Sequence, residues 1–156
     1  ESVTTLRIGE PFDPAVFRGS DVVIHAAHDF TAGAKEKNIR GTHAWFEAAA
    51  GARQVFFSSY SAGPDAASEY GATKYAIEAL SEALRMELGK SEVRVSSIEP
   101  GVVRTGLQDH WEVPPAALLG MEEPLEPEEI AKMVLFILEE PAHLRIPQHT
   151  IMPLER

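Results

Sequence analysis

The sequence contains no cysteine. Disulfides, thiol catalysis and thiolate metal sites are thereby excluded, and the composition fits a reducing compartment, with the cytoplasm the expected location. No apolar run approaches the ~20 residues that a membrane-spanning helix needs, so no membrane partner is expected, and the first residues show no signal-peptide pattern. Positive charge is scarce: Lys and Arg number 14 against 24 Asp and Glu, a formal net charge of −10. A nucleic-acid backbone is therefore not an expected partner. Internal repeats and low-complexity stretches are missing too. What is present is a chain of 156 residues with 44% hydrophobic content, long enough for one domain with a core of its own. A single domain over residues 1–156 is expected.

Residues 4–8 read as a short strand, and residues 10–19 as a loop with one helical turn, punctuated by Pro11 and Pro14. Asp21-Val22-Val23-Ile24-His25-Ala26-Ala27 is a β-branched run followed by small residues, the pattern of a strand buried on both faces of a parallel sheet. A helix is expected at residues 34–50 with Gly51 as its C-cap, then a strand at 55–58. A helix at 70–88 carries Ile77, Leu80, Leu84 and Leu88 at helical spacing and ends at Gly89. A third buried strand is expected at 93–98, and an irregular, proline-punctuated stretch from 101 to 125. Pro127 suits the first position of a helix burying Ile130, Val134, Ile137 and Leu138. A short strand at 150–152 closes the pattern. Alternation of strand and helix implies an α/β fold: an incomplete Rossmann-like three-layer arrangement with a mostly parallel sheet. Residues 106–127 read as a substrate lid rather than a linker, because ordered sequence continues on both sides.

The chemistry concentrates around Tyr70-Gly71-Ala72-Thr73-Lys74. Tyrosine and lysine four apart lie on one helix face, one turn from each other. A neighbouring ammonium is expected to lower the pKa of the phenol, making it a usable proton donor. The preceding strand ends in Ser58-Ser59, at the edge where open α/β sheets bind ligands. Adjacent strand residues face opposite ways, and Ser59, the last before the turn, is favoured to face the tyrosine. Ser61 is a weaker candidate. Phenol, ammonium and hydroxyl together can hold a carbonyl oxygen while hydride moves to or from its carbon. An incidental Tyr and Lys on a surface helix is the plainer alternative for the pair, and strand-end capping for the serines.

Other segments carry less. Asn38-Ile39-Arg40-Gly41-Thr42 places an asparagine inside a helix, where it is mildly unfavourable and its amide could distort the helix and hold a water. Glu99-Pro100-Gly101-Val102-Val103-Arg104-Thr105 turns the chain over the sheet edge, where the backbone could approach a flat ring closely and Thr105 could bind a phosphate. His25 and His28 beside Asp29 lack further ligands, and no metal site is expected. His110 and Trp111 fall in the lid.

With these motifs in order, the chain resembles the short-chain dehydrogenase/reductase family over essentially its whole length. The resemblance implies an NAD- or NADP-dependent oxidoreductase acting on a small carbonyl or alcohol substrate. It implies Tyr70 as acid/base, Lys74 orienting the nicotinamide ribose, Ser59 positioning the substrate carbonyl and Asn38 completing a proton relay. Ala26 and Ala27 would lie near the adenosine side, and Pro100, Gly101, Val102 and Thr105 near the carboxamide. Residues 4–59 resemble the extended, epimerase-like branch of the family, and residues 70–156 the shorter oxidoreductase branch. The sequence departs from the family in having neither Gly-x-x-x-Gly-x-Gly nor Gly-x-Gly-x-x-Gly, the turn that cradles the cofactor pyrophosphate. The acidic residue expected after the second strand is missing as well. Residues 4–8 match the family's third strand, so roughly two strand–helix units are expected to be missing upstream. That strand is then expected to move beside residues 22–26 or to pair with another molecule. The alternative function is a non-catalytic module that binds a small molecule or a partner subunit. The helices at 34–50 and 70–88 resemble those through which family members associate, which implies a homo-oligomer, a dimer first of all. Leu107, Trp111, Val113, Leu118 and Leu119 suggest an apolar portion in the substrate.

Overall fold

The computed structural model describes residues 6–26, 31, 33–59, 62, 69–106, 109 and 112–154. Its centre is a four-stranded sheet in the order β1 (Val22–His25), β2 (Arg53–Phe57), β3 (Val95–Pro100), β4 (Gln148–Ile151). Every pairing is parallel, with Ile24 opposite Val55, Val55 opposite Ser96 and Ile98 opposite His149. The intervening helices are α1 (Lys35–Ala48), α2 (Glu69–Glu87), α3 (Pro115–Leu118) and α4 (Pro127–Glu139). The α/β expectation is met, and the sheet is parallel throughout among the described residues.

Alternation along the strands divides the core. Val55 and Ile98 point towards α4 and pack with Leu125, Ile130, Val134 and Ile137. Phe56 and Val95 point the other way, to Phe46 of α1 and Ile77 of α2. Three layers result, with α1 and α2 side by side on one face and α4 on the other. The exit of α4 is held by arginines from the starts of β2 and β3: Arg53 donates to the Leu138 carbonyl at 3.0 Å and Arg94 to that of Glu140 at 2.8 Å. Cations at a helix C-terminus satisfy its last carbonyls and oppose its dipole.

Several sequence expectations are corrected. Residues 4 and 5 lie outside the described residues, but 6–8 form no strand, and β1 has β2 as its neighbour in the described sheet. Ile8 instead sits in a turn closed by Gly9 at φ +74° and is buried against α1. Gly41 makes room for it: a Cβ there would lie 2.5 Å from Ile8 Cγ1 and 2.6 Å from the Gly9 nitrogen. Packing of one apolar side chain has displaced edge pairing. Helix α1 ends at an Ala49 cap, and neither Gly51 nor Gly89 adopts positive φ; Gly89 falls in a 3-10 turn, Leu88–Lys90. Strand β3 extends two residues beyond expectation, through Pro100, because Gly101 N–H donates to the Ile151 carbonyl at 2.8 Å. The stretch expected to be irregular contains α3. Its base is pinned by pairing of Val103 with Leu125, with Arg104 N–H donating to Leu125 O at 2.7 Å and Leu125 N–H to Val102 O at 2.9 Å. Among the described residues no helix is long and apolar enough to cross a membrane.

Candidate active site

The C-terminal end of β2 lies under the first two turns of α2, and three of the four proposed catalytic side chains meet there. Lys74 is almost fully buried, and its Nζ donates to the carbonyl of Phe57, the last residue of β2, at 2.7 Å. The same Nζ lies 5.6 Å from the centroid of the Tyr70 ring, within cation–π range. The Tyr70 hydroxyl is hydrogen-bonded to the side chain of Ser59. Ser58 is buried close to Glu78, which is also on α2. Both serines therefore reach side chains of α2, rather than facing opposite ways as strand alternation predicts.

The electrostatics differ from expectation. Burial pushes the Tyr70 phenol above its ordinary value, and the hydrogen bond to Ser59 opposes this only in part. The anticipated lowering by Lys74 fails for two physical reasons. The phenolate would be desolvated, and the ammonium is directed at a backbone carbonyl and the ring face rather than at the phenol oxygen. Lys74 itself is lowered by burial to about 8, with the Glu78 carboxylate acting to raise it.

Asn38 is fully buried on α1, beside α2. Its N–H donates to Ala34 O at 2.9 Å. Pro100, Gly101 and Val102 are half-buried at the end of β3, whereas Thr105 and Ala26 are exposed. Gly101 is tight against this chain's own tail: a Cβ would lie 2.8 Å from Pro153 Cδ and 3.1 Å from Met152 Sδ. Its lack of a side chain is thus required by the segment after β4, a reason the sequence motif did not suggest. Ala27, Ser61, Leu107, His110, Trp111, His28 and Asp29 lie outside the described residues.

His25 belongs to the core rather than to a metal site. Gln54 Nε2 donates to the carbonyls of Phe46 and Ala49 at 3.3 and 3.2 Å, so its Oε1 is left to accept from His25 Nε2 at 2.9 Å. The ring stacks on Phe46 at 4.4 Å, and desolvation holds its pKa below the ordinary value.

Comparison with known proteins gives the family and the fold. The sequence profile of a family described as enoyl-(acyl carrier protein) reductase matches residues 30–146, most of the chain. The chain belongs to the short-chain dehydrogenase/reductase family. Among similar proteins is human dehydrogenase/reductase SDR family member 11, 39% identical over 93 residues, which are 56% of this chain and 36% of that protein. An uncharacterized oxidoreductase of Staphylococcus epidermidis is 36% identical over 85 residues, 54% of this chain and 34% of that protein. The aligned stretch thus spans about a third of the length of these relatives. An alcohol dehydrogenase from the archaeon Thermococcus sibiricus, solved with 5-hydroxy-NADP, superposes with a TM-score of 0.69 at 20% identity, covering 87% of this chain and 64% of that one. BdcA in complex with NADPH gives 0.68 at 21% identity, covering 90% and 68%. At such identities the likeness is one of fold.

Two residues beside this candidate site were not singled out in the sequence. Glu78 follows Lys74 by one helical turn, a spacing legible in the sequence. Glu99 was quoted only as part of the Pro-Gly turn. The acceptor for Lys74 is a backbone carbonyl, which no residue pattern marks.

Proposed function

We propose that this chain carries the catalytic part of an NAD(P)-dependent oxidoreductase that interconverts a small carbonyl compound and its alcohol. The observation that carries this reading is the convergence of Tyr70, Lys74 and Ser59 at one strand end. In the reducing direction, Ser59 and Tyr70 hold the substrate oxygen, and Tyr70 gives that oxygen its proton as charge develops on it. The phenol is protonated at neutral pH, as a proton donor must be, although its raised pKa makes it a weaker acid than a free phenol. The nicotinamide, when bound, supplies or takes the hydride.

The fit of the cofactor divides along its length. An ammonium has three N–H donors, and the Phe57 carbonyl takes one of those of Lys74. The others suit the hydroxyls of a ribose at the nicotinamide end, beside Pro100, Gly101 and Val102. For the pyrophosphate end this sequence offers no glycine-rich turn, so those contacts must come from elsewhere. Asn38 is assigned to the proton relay, and Ala26, Ala27 and Thr105 to the cofactor's flanks. Residues 1–156 are treated as one domain with residues 106–127 as its lid. Exposed Val113, Leu118 and Leu119 support an apolar part in the substrate. A cytoplasmic homodimer joined through α1 and α2 completes the reading; exposed Tyr75 and Met86 on α2 support the contact.

The test is turnover of small aldehydes and ketones with NADH and NADPH, alongside nucleotide binding by calorimetry. Tyr70→Phe should lower kcat by about 10²–10⁴-fold while leaving nucleotide affinity in place. Absence of both turnover and nucleotide binding in the folded protein would favour the non-catalytic module instead.

A further inference from the structure

The buried amide of Gln54 joins three elements. It stands on β2, and its Nε2 donates to the carbonyls of Phe46 and Ala49 at the C-terminal end of α1. The Phe46 carbonyl is available for this because the Ala50 N–H turns to Glu47 O at 3.3 Å. Only the amide nitrogen can serve two carbonyls, so the orientation of the amide is forced and Oε1 faces β1. There it meets His25 Nε2 at 2.9 Å. A carboxamide oxygen only accepts, so Nε2 carries the imidazole proton. A neutral imidazole has one N–H, and Nδ1 is left as a bare lone pair. That atom is buried without a partner among the described residues. Phe46 of α1 covers the ring at 4.4 Å and is itself set edge-on against Phe56 at 5.5 Å. The reaction described above makes no use of His25.

We propose that His25 is an acid-sensitive latch between β1 and the C-terminal end of α1, closed only by the neutral Nε2–H form and opened when Nδ1 takes up a proton. An imidazolium carries an N–H on both nitrogens. Turning the ring over therefore still leaves one buried donor unpaired, and a charged donor in that state is costly. Solvent can pair it once Phe46 moves aside, and Phe46 moves with α1. The latch goes beyond the oxidoreductase reading, but it acts on the same region: α1 also carries the buried Asn38, beside α2.

The charges around His25 leave it alone. On β1, Asp21 is exposed, and so is Arg18 after the 3-10 turn Pro14–Phe17. On α1, Glu36 pairs with Arg40 and His43 with Glu47, all at the surface, and Lys35 and Lys37 are exposed. Arg53 of β2 bonds the Leu138 carbonyl on the other face of the sheet. On α2, Lys74 bonds the Phe57 carbonyl and Tyr70 bonds Ser59. None of them gives Nδ1 an acceptor. Desolvation accordingly holds the imidazole pKa down, with the Gln54 bond acting to raise it. An opened or unfolded chain takes the proton near pH 6.5. Below that value it binds more protons than the latched form, so the latch weakens as pH falls.

The experiment uses the full chain without cofactor or substrate, and combines nitrogen-15 NMR of the His25 ring with amide hydrogen exchange. At pH 7.5 the ring should be the Nε2–H tautomer, and it should stay neutral below the pH of about 6.5 at which a free imidazole is half protonated. Between pH 7 and 5.5, protection in the last turn of α1, corrected for intrinsic exchange, should fall by about tenfold while that of α4 holds. In His25→Gln, which keeps an N–H for Gln54 but takes up no proton in this range, the fall should vanish. An Nδ1–H tautomer, or a midpoint at or above 6.5 in the unaltered protein, overturns the proposal even if the variant fails to fold. So does loss of protection in α1 and α4 together, or a folded His25→Gln protein in which the fall persists. Neither readout needs turnover, so lack of oxidoreductase activity would refute the functional reading and leave the latch standing.

Discussion

Against α4 the sheet presents Val55 and Ile98, and the helix answers with Ile130, Val134 and Ile137. Against α1 and α2 it presents Phe56 and Val95 together with His25, Gln54, Ser58 and Ser97, and those helices bury Asn38, Thr42, Thr73, Lys74 and Ser81 beside Phe46 and Ile77. Of the buried polar residues among those described, Ser96 alone lies on the α4 side of the strands. One face is hydrocarbon and needs only to be dry. The other has to find a partner for each polar atom it buries, because an unpaired one costs about 1–3 kcal/mol. Among the described residues, His25 Nδ1 on the second face is buried without a hydrogen-bond partner. A largely apolar face and a polar-rich face thus share a single sheet, and the first stabilises what the second costs.

Truncation on the packing face should give the largest change in stability. Ile98 is fully buried, so Ile98→Ala should lose about 2–5 kcal/mol in denaturant unfolding. A loss under 1 kcal/mol would mean that α4 does not anchor the sheet.

On the polar face the sign should reverse. The fall of Lys74 from 10.5 to about 8 corresponds to about 3 kcal/mol against the charged form. Lys74→Met relieves that and forfeits the bond to Phe57, leaving a net gain of about 1–2 kcal/mol at pH 7. The pH dependence separates this from general packing. Below pH 8 folded and unfolded chains both hold the lysine proton, and its cost is constant. Between about pH 8 and 10 the unfolded chain binds more protons, so stability should rise with pH. Above the ordinary tyrosine range, the raised Tyr70 works in the opposite sense, because the unfolded chain releases the phenolic proton first. Lys74→Met should abolish the rise, and chemical denaturation at several pH values would detect it. A destabilised variant would erase the contrast between the faces.

The smallest effect concerns how the packing helix begins. Glu126 N–H donates to the Glu129 carboxylate at 2.8 Å, and Pro127 fills the first turn, where its missing N–H is harmless. Glu129→Ala should cost about 0.5–1 kcal/mol in thermal unfolding, without moving the Lys74 titration.

Much of this contrast could be read from the residues. Ile130, Val134 and Ile137 at helical spacing, and β-branched runs bounded by glycine, specify amphipathic helices and buried strands by local periodicity. The Tyr70 to Lys74 spacing and the strand-end serines were equally visible, because one turn of helix and one step of pleat are fixed by backbone geometry. Residues 6–8 were misread because β-propensity is weak beside burial of a single isoleucine. The packing reason for a glycine at 101 was not legible because Met152 and Pro153 approach from about fifty residues away.

The sequence by itself determined the alternation of strand and helix, the two faces of each element and the proximity of phenol and ammonium, all of which depend on periods of 2 and 3.6 residues. Only the tertiary structure decided how acidic those groups are and what holds them. Desolvation of Tyr70 and Lys74 and the approach of the Phe57 carbonyl arise when distant segments close on one another and exclude water.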